Sequence, residues 1–432
     1  MPYGRSFVSQ QKKYHGLMST IVVARSPSLS QSMLGYQPIF ERLLDDVAFL
    51  WFQRRRAEDH PAYFQWDLAA MDERIQNYLR ALLQAPGISW RLFEEAADTG
   101  DGGYFFTAAI LAFHTLDTRN IQSLIERSAG NQEGIAGICS ALAHLPGSRI
   151  HPWIKKFLMS KDRFHQHLAL HTCQLRRDDP RAYLTALIQQ PEIREHEDLF
   201  VCALKLAGSL KRKDLLPLLC DAMTDDRAPV KFWSAWSCGL MRELSAAPIL
   251  QEMVQTNDEW QQHALSSLLL LLNAKPARDL VDHLARSEPT RRQAIEGCSV
   301  LGDASALPWL LQMARVPEFN QPATQAVLTI TGISLENDWL TSTEVKEIEP
   351  ADSDEDLPSV NPDKLTAAWQ KNNARWQPGQ RYFLGEPLHI QHLLRLFPNA
   401  NQRHRRTAAF HLANLLPERP LLNHAGLEVF HL

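Results

Sequence analysis

No apolar run in this 432-residue chain is long enough to cross a bilayer. The longest, residues 265–272, includes two serines, whereas a spanning helix needs about 20 apolar residues. Neither sign of charge dominates: 45 Lys and Arg stand against 49 Asp and Glu, a net charge of −4. That balance supplies no global attraction to nucleic acid. Cysteine is sparse, at six residues, and no C-x-x-C, H-E-x-x-H or G-x-G-x-x-G pattern occurs. These absences argue against a disulfide scaffold and a zinc knuckle, and they leave no recognisable catalytic motif. No catalytic residue, cofactor or metal site is therefore expected, and the chain reads as a non-enzyme without a membrane partner. What is present is an apolar fraction of 45%, too high for wholesale disorder. The length fits about three ordinary domains or one long repeat array.

Two stretches lack the pattern of a packed core. Residues 1–35 carry four basic side chains, Arg5, Lys12, Lys13 and Arg25, with no acidic ones and many serines. The apolar run at 17–24 follows two lysines, but it holds Ser19 and Thr20 and is followed by Arg25. That argues against a cleaved export signal, although a transit peptide also fits the composition. The reading adopted is a disordered leader, or a start set too early, upstream of Met18 or Met33. Between Glu344 and Asp356 seven acids accompany one base, Lys346, with Pro350, Pro358 and Pro362 in or beside the stretch. Such a segment buries too little apolar surface to offset the entropy of ordering it. Residues 335–362 thus read as an acidic linker ahead of a C-terminal module at 363–432.

Between these stretches the sequence repeats. LLPLLCDAM from Leu215, AAPILQEMV from Ala246, PARDLVDHLA from Pro276 and ALPWLLQMA from Ala306 overlay with Leu219, Leu250, Leu280 and Leu310 in register. Pro217, Pro248 and Pro308 share a phase too, and proline in this setting marks a first helical turn. Upstream of each lies another apolar helix, in which Ala203, Ala235, Ala264 and Ala294 recur at close to the same period. Small side chains at these points let helix pairs approach closely. The pattern extends back to Ala108 and forward to Gly332, about eight helical pairs. A pair of about 30 residues cannot bury its apolar stripe alone, so neighbours must stack into one continuous core. The stretches LKLAGSLKRKDLLPLL and CSVLGDASALPWLLQMA resemble HEAT repeats. The expectation is an all-α, right-handed α-solenoid of HEAT-like helical repeats at 104–334.

Its ends read as caps. Phe40, Leu43, Leu44, Val47, Leu50 and Trp51 lie on one face of a helix entered at Pro38, and Leu68, Met71, Ile75, Tyr78, Leu79 and Leu82 on one face of a second. This N-terminal helical cap covers 36–103. Residues 364–372, 388–396 and 405–416 suggest three helices in a small C-terminal helical module, with a short extended segment at 381–385. AFLWFQRR at Ala48, DLAAMDERIQNYLRAL at Asp67 and RYFLGEPL at Arg381 resemble the ends of a proteobacterial family of HEAT-like proteins found among type VI secretion gene clusters. The leader and the tail LLNHAGLEVFHL depart from that pattern. The resemblance implies a bacterial, cytoplasmic protein acting beside secreted toxins, as an adaptor or an immunity protein.

The candidate chemistry is thin. His167 and His171 share a helical face but lack a third ligand of the right kind, and His389 with His392 offers no more. Cys139, Cys173, Cys202, Cys238 and Cys298 fall near the recurring small position, where a buried thiol suits a tight core. Arg403, Arg405 and Arg406, with His404 and His411, form the strongest basic spot, read as a solvated helix face. The expected contact surface is the polar side of the second helices, on a concave face: Lys213, Asp214, Gln251, Glu252, Arg278 and Gln312, with Trp233, Trp260 and Trp309 as aromatic anchors. The partner expected is a protein, a secreted effector or a secretion component, rather than nucleic acid. The competing reading is a HEAT-like enzyme acting on nucleic acid or a bilin-type ligand.

Overall fold

The structure, a computed structural model, describes residues 35–256, 259–334, 357 and 359–432. The leader and most of the acidic linker lie outside the described residues. Among those residues the chain forms 21 α-helices and one two-stranded hairpin, an all-α solenoid. The cap comprises α1 (Gln37–Ala57), α2 (Gln65–Leu82) and α3 (Pro86–Ala96), the last a helix beyond the two that periodicity predicts. Helical pairs follow: α4 (Gly102–Thr115) with α5 (Thr118–Ser128), α6 (Gln132–His144) with α7 (Gly147–Leu158), and α8 (Arg163–Arg176) with α9 (Ala182–Ile188). Next come α10 (Glu197–Ser209) with α11 (Leu216–Ala222), and α12 (Ala228–Leu240) with α13 (Ala247–Gln255). The last complete pairs are α14 (Gln261–Leu271) with α15 (Ala274–Arg286) and α16 (Arg291–Leu301) with α17 (Leu307–Met313). Then α18 (Asn320–Thr331) packs against α19 (Pro362–Lys371), which arrives only after the acidic stretch. The linker is therefore an insertion within the eighth pair.

First helices stack on first helices, from α4 through α18, and form one layer; second helices cover its other side. Small residues permit this contact. A Cβ on Gly103 would fall 2.5 Å from the Ala48 Cα, and one on Gly137 would fall 2.1 Å from the Gly102 carbonyl oxygen. Helix α4, buried from Gly102 to Phe113, is apolar on every side because it lies between α1 and α6; an all-round apolar helix must be enclosed in this way. Asp101 caps it by accepting from the Gly103 amide, one of the otherwise orphaned first-turn donors. The recurring alanines Ala203, Ala235, Ala264 and Ala294 are fully buried.

The second-helix register holds at Leu219, Leu250 and Leu310, all fully buried, but not at Leu280, which is half-buried. Helices α11, α13 and α17 each follow a three-residue 3-10 turn and carry proline as their second residue. Helix α15 has no preceding turn, and its Pro276 is the third residue. The resulting change of phase buries Ala277, Val281 and Leu284 instead, since one residue turns a helix by about 100°.

The C-terminal residues do not extend the array; they run back along it. Strands β1 (Tyr382–Phe383) and β2 (Glu386–Pro387) form an antiparallel hairpin, followed by α20 (Ile390–Leu396) and α21 (Gln402–Leu415). The hairpin supplies donors to the last carbonyls of two first helices: Tyr382 N to Gly302 O (2.8 Å), Leu384 N to Thr329 O (2.7 Å) and Gly385 N to Ile330 O (3.0 Å). Further on, Leu421 N donates to Ser209 O (2.8 Å), Asn423 Nδ2 to Leu175 O (2.8 Å) and Phe430 N to His144 O (2.7 Å). Residues 381–430 thus satisfy the C-termini of α16 and α18 and then, running back along the array, those of α10, α8 and α6, where carbonyls have no intrahelical partner.

Candidate functional site

The start and the end of the fold meet. Gln402 N donates to Tyr63 O (2.8 Å), and Phe64 forms a bridge with Asn401. The buried Arg54 of α1 holds Asp72 of α2 through two contacts of 2.8 and 3.2 Å, and its Nη2 also donates to the carbonyls of Ala425 and Gly426. Burial disfavours the Arg54 charge, but Asp72 and Glu58 outweigh it and raise the guanidinium above its usual range. His144, 3.7 Å from Asp72, tilts against the fully buried Phe430 at 4.5 Å between ring centroids.

Where α21 crosses α14, α16 and α18, a cavity of about 420 Å³ remains. Its wall takes Gln262, His263, Ser266 and Ser267 from α14, Arg292, Glu296 and Ser299 from α16, and Gln325 and Thr329 from α18. Arg403, His404, Arg406, Phe410 and His411 of α21 close it, with Asp59 from the loop after α1. Arg406 Nη1 donates to Asp59 (3.0 Å), and its Nη2 lies 2.8 Å from His263 Nδ1. Asp59 is half exposed; burial acts to raise its carboxyl, yet Arg406 and His424 hold it below the usual carboxylate range. Burial, with Arg406 adding to it, pushes His263 down to about 4 against a weaker pull from Asp59. Burial and Arg403 push His404 down to about 4. For His411, burial and Arg381 lower it to about 3 despite a hydrogen bond to the Val300 backbone. All three imidazoles are neutral at pH 7.

This corrects the reading of the basic spot as a solvated face. Arg405 is buried with its guanidinium 4.6 Å from the Phe397 ring centroid, and His404, Arg406 and His411 turn inward. The spot was visible in sequence as clustered Arg and His. Its cavity partners, Asp59, His263, Arg292 and Glu296, were not, because they lie on elements far from α21 in the chain.

The residues proposed as a partner surface do not converge. Trp233 and Trp260 belong to one aromatic cluster, with Trp260 stacked on Phe232 at 5.6 Å and Lys205 Nζ 3.8 Å above the Trp233 ring. Trp309 is partly buried against the core from α17. Lys213 pairs with Glu418 at 2.5 Å, Asp214 with Arg212 at 2.7 Å, Glu252 with Lys231 at 2.8 Å and Arg278 with Asp303 at 3.5 Å. Gln251, Glu252 and Gln312 are exposed on second helices. Asp214 and Arg212 border a shallow hollow of about 570 Å³ with Asp179 and Thr185.

His167 and His171 stack at 6.0 Å, and His392 Nε2 donates to the Phe383 carbonyl (2.7 Å) while His389 caps α20. Among the described residues no group of three His, Cys, Asp or Glu side chains is placed to hold a metal ion. Burial pushes the thiols of Cys173, Cys202 and Cys298 up to about 12, which leaves almost no thiolate, the nucleophilic form, at neutral pH. Among the described residues no helix is long and apolar enough to cross a membrane.

No family model and no curated protein matches the chain. Among solved structures, the crystal structure of an engineered protein is similar at 12% identity, with 94% of this chain and 98% of that chain covered and a TM-score of 0.32. At that score the likeness carries no argument.

Proposed function

We propose that the protein is a non-catalytic binding solenoid, cytoplasmic in a bacterium, that neutralises or escorts a secreted effector. The observation that carries this reading is the division of its surfaces. The C-terminal ends of the first helices α6, α8, α10, α16 and α18 are taken by the chain's own residues 381–430, whereas the second helices present Gln251, Glu252 and Gln312 to solvent. The contact surface is therefore assigned to the second-helix layer, with the hollow beside Asp214 at its edge. A stacked array holds such polar positions at a fixed spacing, and mixed charge on a rigid surface favours specificity and fast encounter. Trp233 and Trp260 serve the core in this arrangement, so anchoring falls to the polar positions and Trp309. The resemblance of AFLWFQRR and RYFLGEPL to the family found beside secretion genes supports an effector as the partner.

The test is affinity capture from a bacterium that carries the gene, using wild type and a Gln251→Lys/Glu252→Lys/Gln312→Lys variant. The expected result is effector capture by wild type, reduced by roughly tenfold or more in the variant, as for charge reversal at an interface. Deletion should also change effector toxicity or secretion. Failure to capture any effector, with neither trait altered on deletion, would overturn the reading.

A further inference from the structure

We propose that the cavity between α14, α16, α18 and α21 is a binding site for an uncharged nucleobase, free or as the base of a nucleoside. Folded cores retain few voids larger than a water molecule, and a space of about 420 Å³ lies within the range of small-ligand sites. Three successive first helices wall it, and α21 closes it. The charged groups of the wall are already engaged. Arg406 pairs with Asp59 at 3.0 Å and Arg292 with Glu296 at 3.8 Å, and Arg403 has an interaction of its own. A charged ligand would have to compete for these partners, and separating an enclosed ion pair leaves one charge uncompensated. The imidazoles of His263, His404 and His411 are neutral at pH 7, because burial lowers all three. A neutral ligand leaves every one of these groups as it is.

What the wall leaves open is neutral and hydrogen-bonding. The hydroxyls of Ser266 and Ser267 on α14 and of Ser299 on α16, with the amide of the exposed Gln262, make no hydrogen bond among the described residues. Each can donate and accept, which suits a ligand edge that carries donors and acceptors side by side, as a base does. The apolar part of the wall sets the ligand's shape. Trp236 and Phe410 meet edge to face, with 6.2 Å between ring centroids and 75° between planes, and so form a corner. A flat ring fits there with its face on one and its edge toward the other, both favourable arrangements for aromatic rings. An aliphatic chain would leave the hydroxyls unmet, and a polyol would leave the aromatic corner uncovered. The cavity lies on the first-helix layer, whereas Gln251 and Gln312 belong to second helices, so this site and the outer surface stand or fall separately.

The test is calorimetric titration of the full chain with adenine, hypoxanthine, cytosine, uracil and their nucleosides, alongside indole and orotate, the 6-carboxylate of uracil. At least one base or nucleoside should saturate at one per chain and raise the melting temperature. Orotate and indole should bind at least about tenfold more weakly than that ligand, orotate because its charge meets no open partner and indole because it lacks the hydrogen-bonding edge. Ser266→Ala/Ser299→Ala should weaken the ligand by roughly tenfold, as two neutral hydrogen bonds are lost. The ligand-free melting temperature should stay near wild type, since the fold uses neither hydroxyl. If that variant is unstable, Ser267→Ala takes its place, with a loss of roughly fivefold for one such bond. No saturation by any base or nucleoside, binding of orotate or indole as tight as that of the best base, or unchanged affinity in the serine variants would overturn the proposal.

Discussion

His263, His404 and His411 are held neutral where unfolded histidines titrate near 6.5. Between their folded values, about 4, 4 and 3, and 6.5, the unfolded chain binds more protons than the folded one. Stability therefore falls as pH drops through that window, with a slope of about 1.4 kcal/mol per pH unit for each proton of difference. Thermal denaturation between pH 7 and pH 5 should show a falling midpoint, and His411→Asn should make the fall shallower. A midpoint insensitive to pH there would contradict the burial of these rings. Glycine gives a second test at this scale. Gly137→Ala would place a methyl against the Gly102 carbonyl, so the gain of about 1 kcal/mol in helix propensity is outweighed by an overpacking cost of roughly 1–3 kcal/mol. Gly87→Ala meets nothing within 4 Å and should be neutral or slightly stabilising; equal effects at both sites would contradict the close approach of α4 and α6. Sequence made the small and apolar positions legible, because burial leaves a periodic trace. Arg54 and Asp72 left none: each looks like an ordinary polar residue on a helix until its distant partner is in place.

Among elements, the second helices show how far a repeat alignment reaches. Proline and a leading turn fix the phase of α11, α13 and α17, and there the aligned leucines are core. Where α15 lacks that turn, the alignment fails by a fraction of a helical turn. Leu250→Asp should cost at least about 3 kcal/mol, as an unpaired charge is buried, whereas Leu280→Asp should cost about 1 kcal/mol at a half-buried site. Urea denaturation of the two variants distinguishes them, and similar losses would show that the register given for α15 is wrong. The C-terminal helices were also legible as local patterns, at 364–372, 388–396 and 405–416 against the observed Pro362–Lys371, Ile390–Leu396 and Gln402–Leu415. Their docking was not, because contacts such as Leu421 to Ser209 and Lys213 to Glu418 join residues far apart in the chain. Local periodicity carries no information about such partners.

For the molecule as a whole, the return path converts an open array into one whose first and last elements support each other. Arg54 grips the carbonyls of Ala425 and Gly426, Phe430 fills the space against His144, and Asn401 meets Phe64. An open array of repeats melts by fraying from its ends; this one has tied them together. Phe430→Ala should therefore destabilise the whole chain by roughly 3–5 kcal/mol, the cost of emptying a fully buried aromatic site, and lower the midpoint of the main unfolding transition. A tail that melts in its own earlier transition, leaving the main midpoint unchanged, would contradict that coupling. The same closure creates the cavity, since α21 is held across α14, α16 and α18 only while the return path is docked. Hydrogen exchange of the intact chain, followed by mass spectrometry on peptides spanning 417–432, tests this most directly. The amides of Leu421 and Phe430 should be protected to nearly the level of first helices such as α6 and α10; exchange at the rate of an unstructured peptide would contradict the closed solenoid.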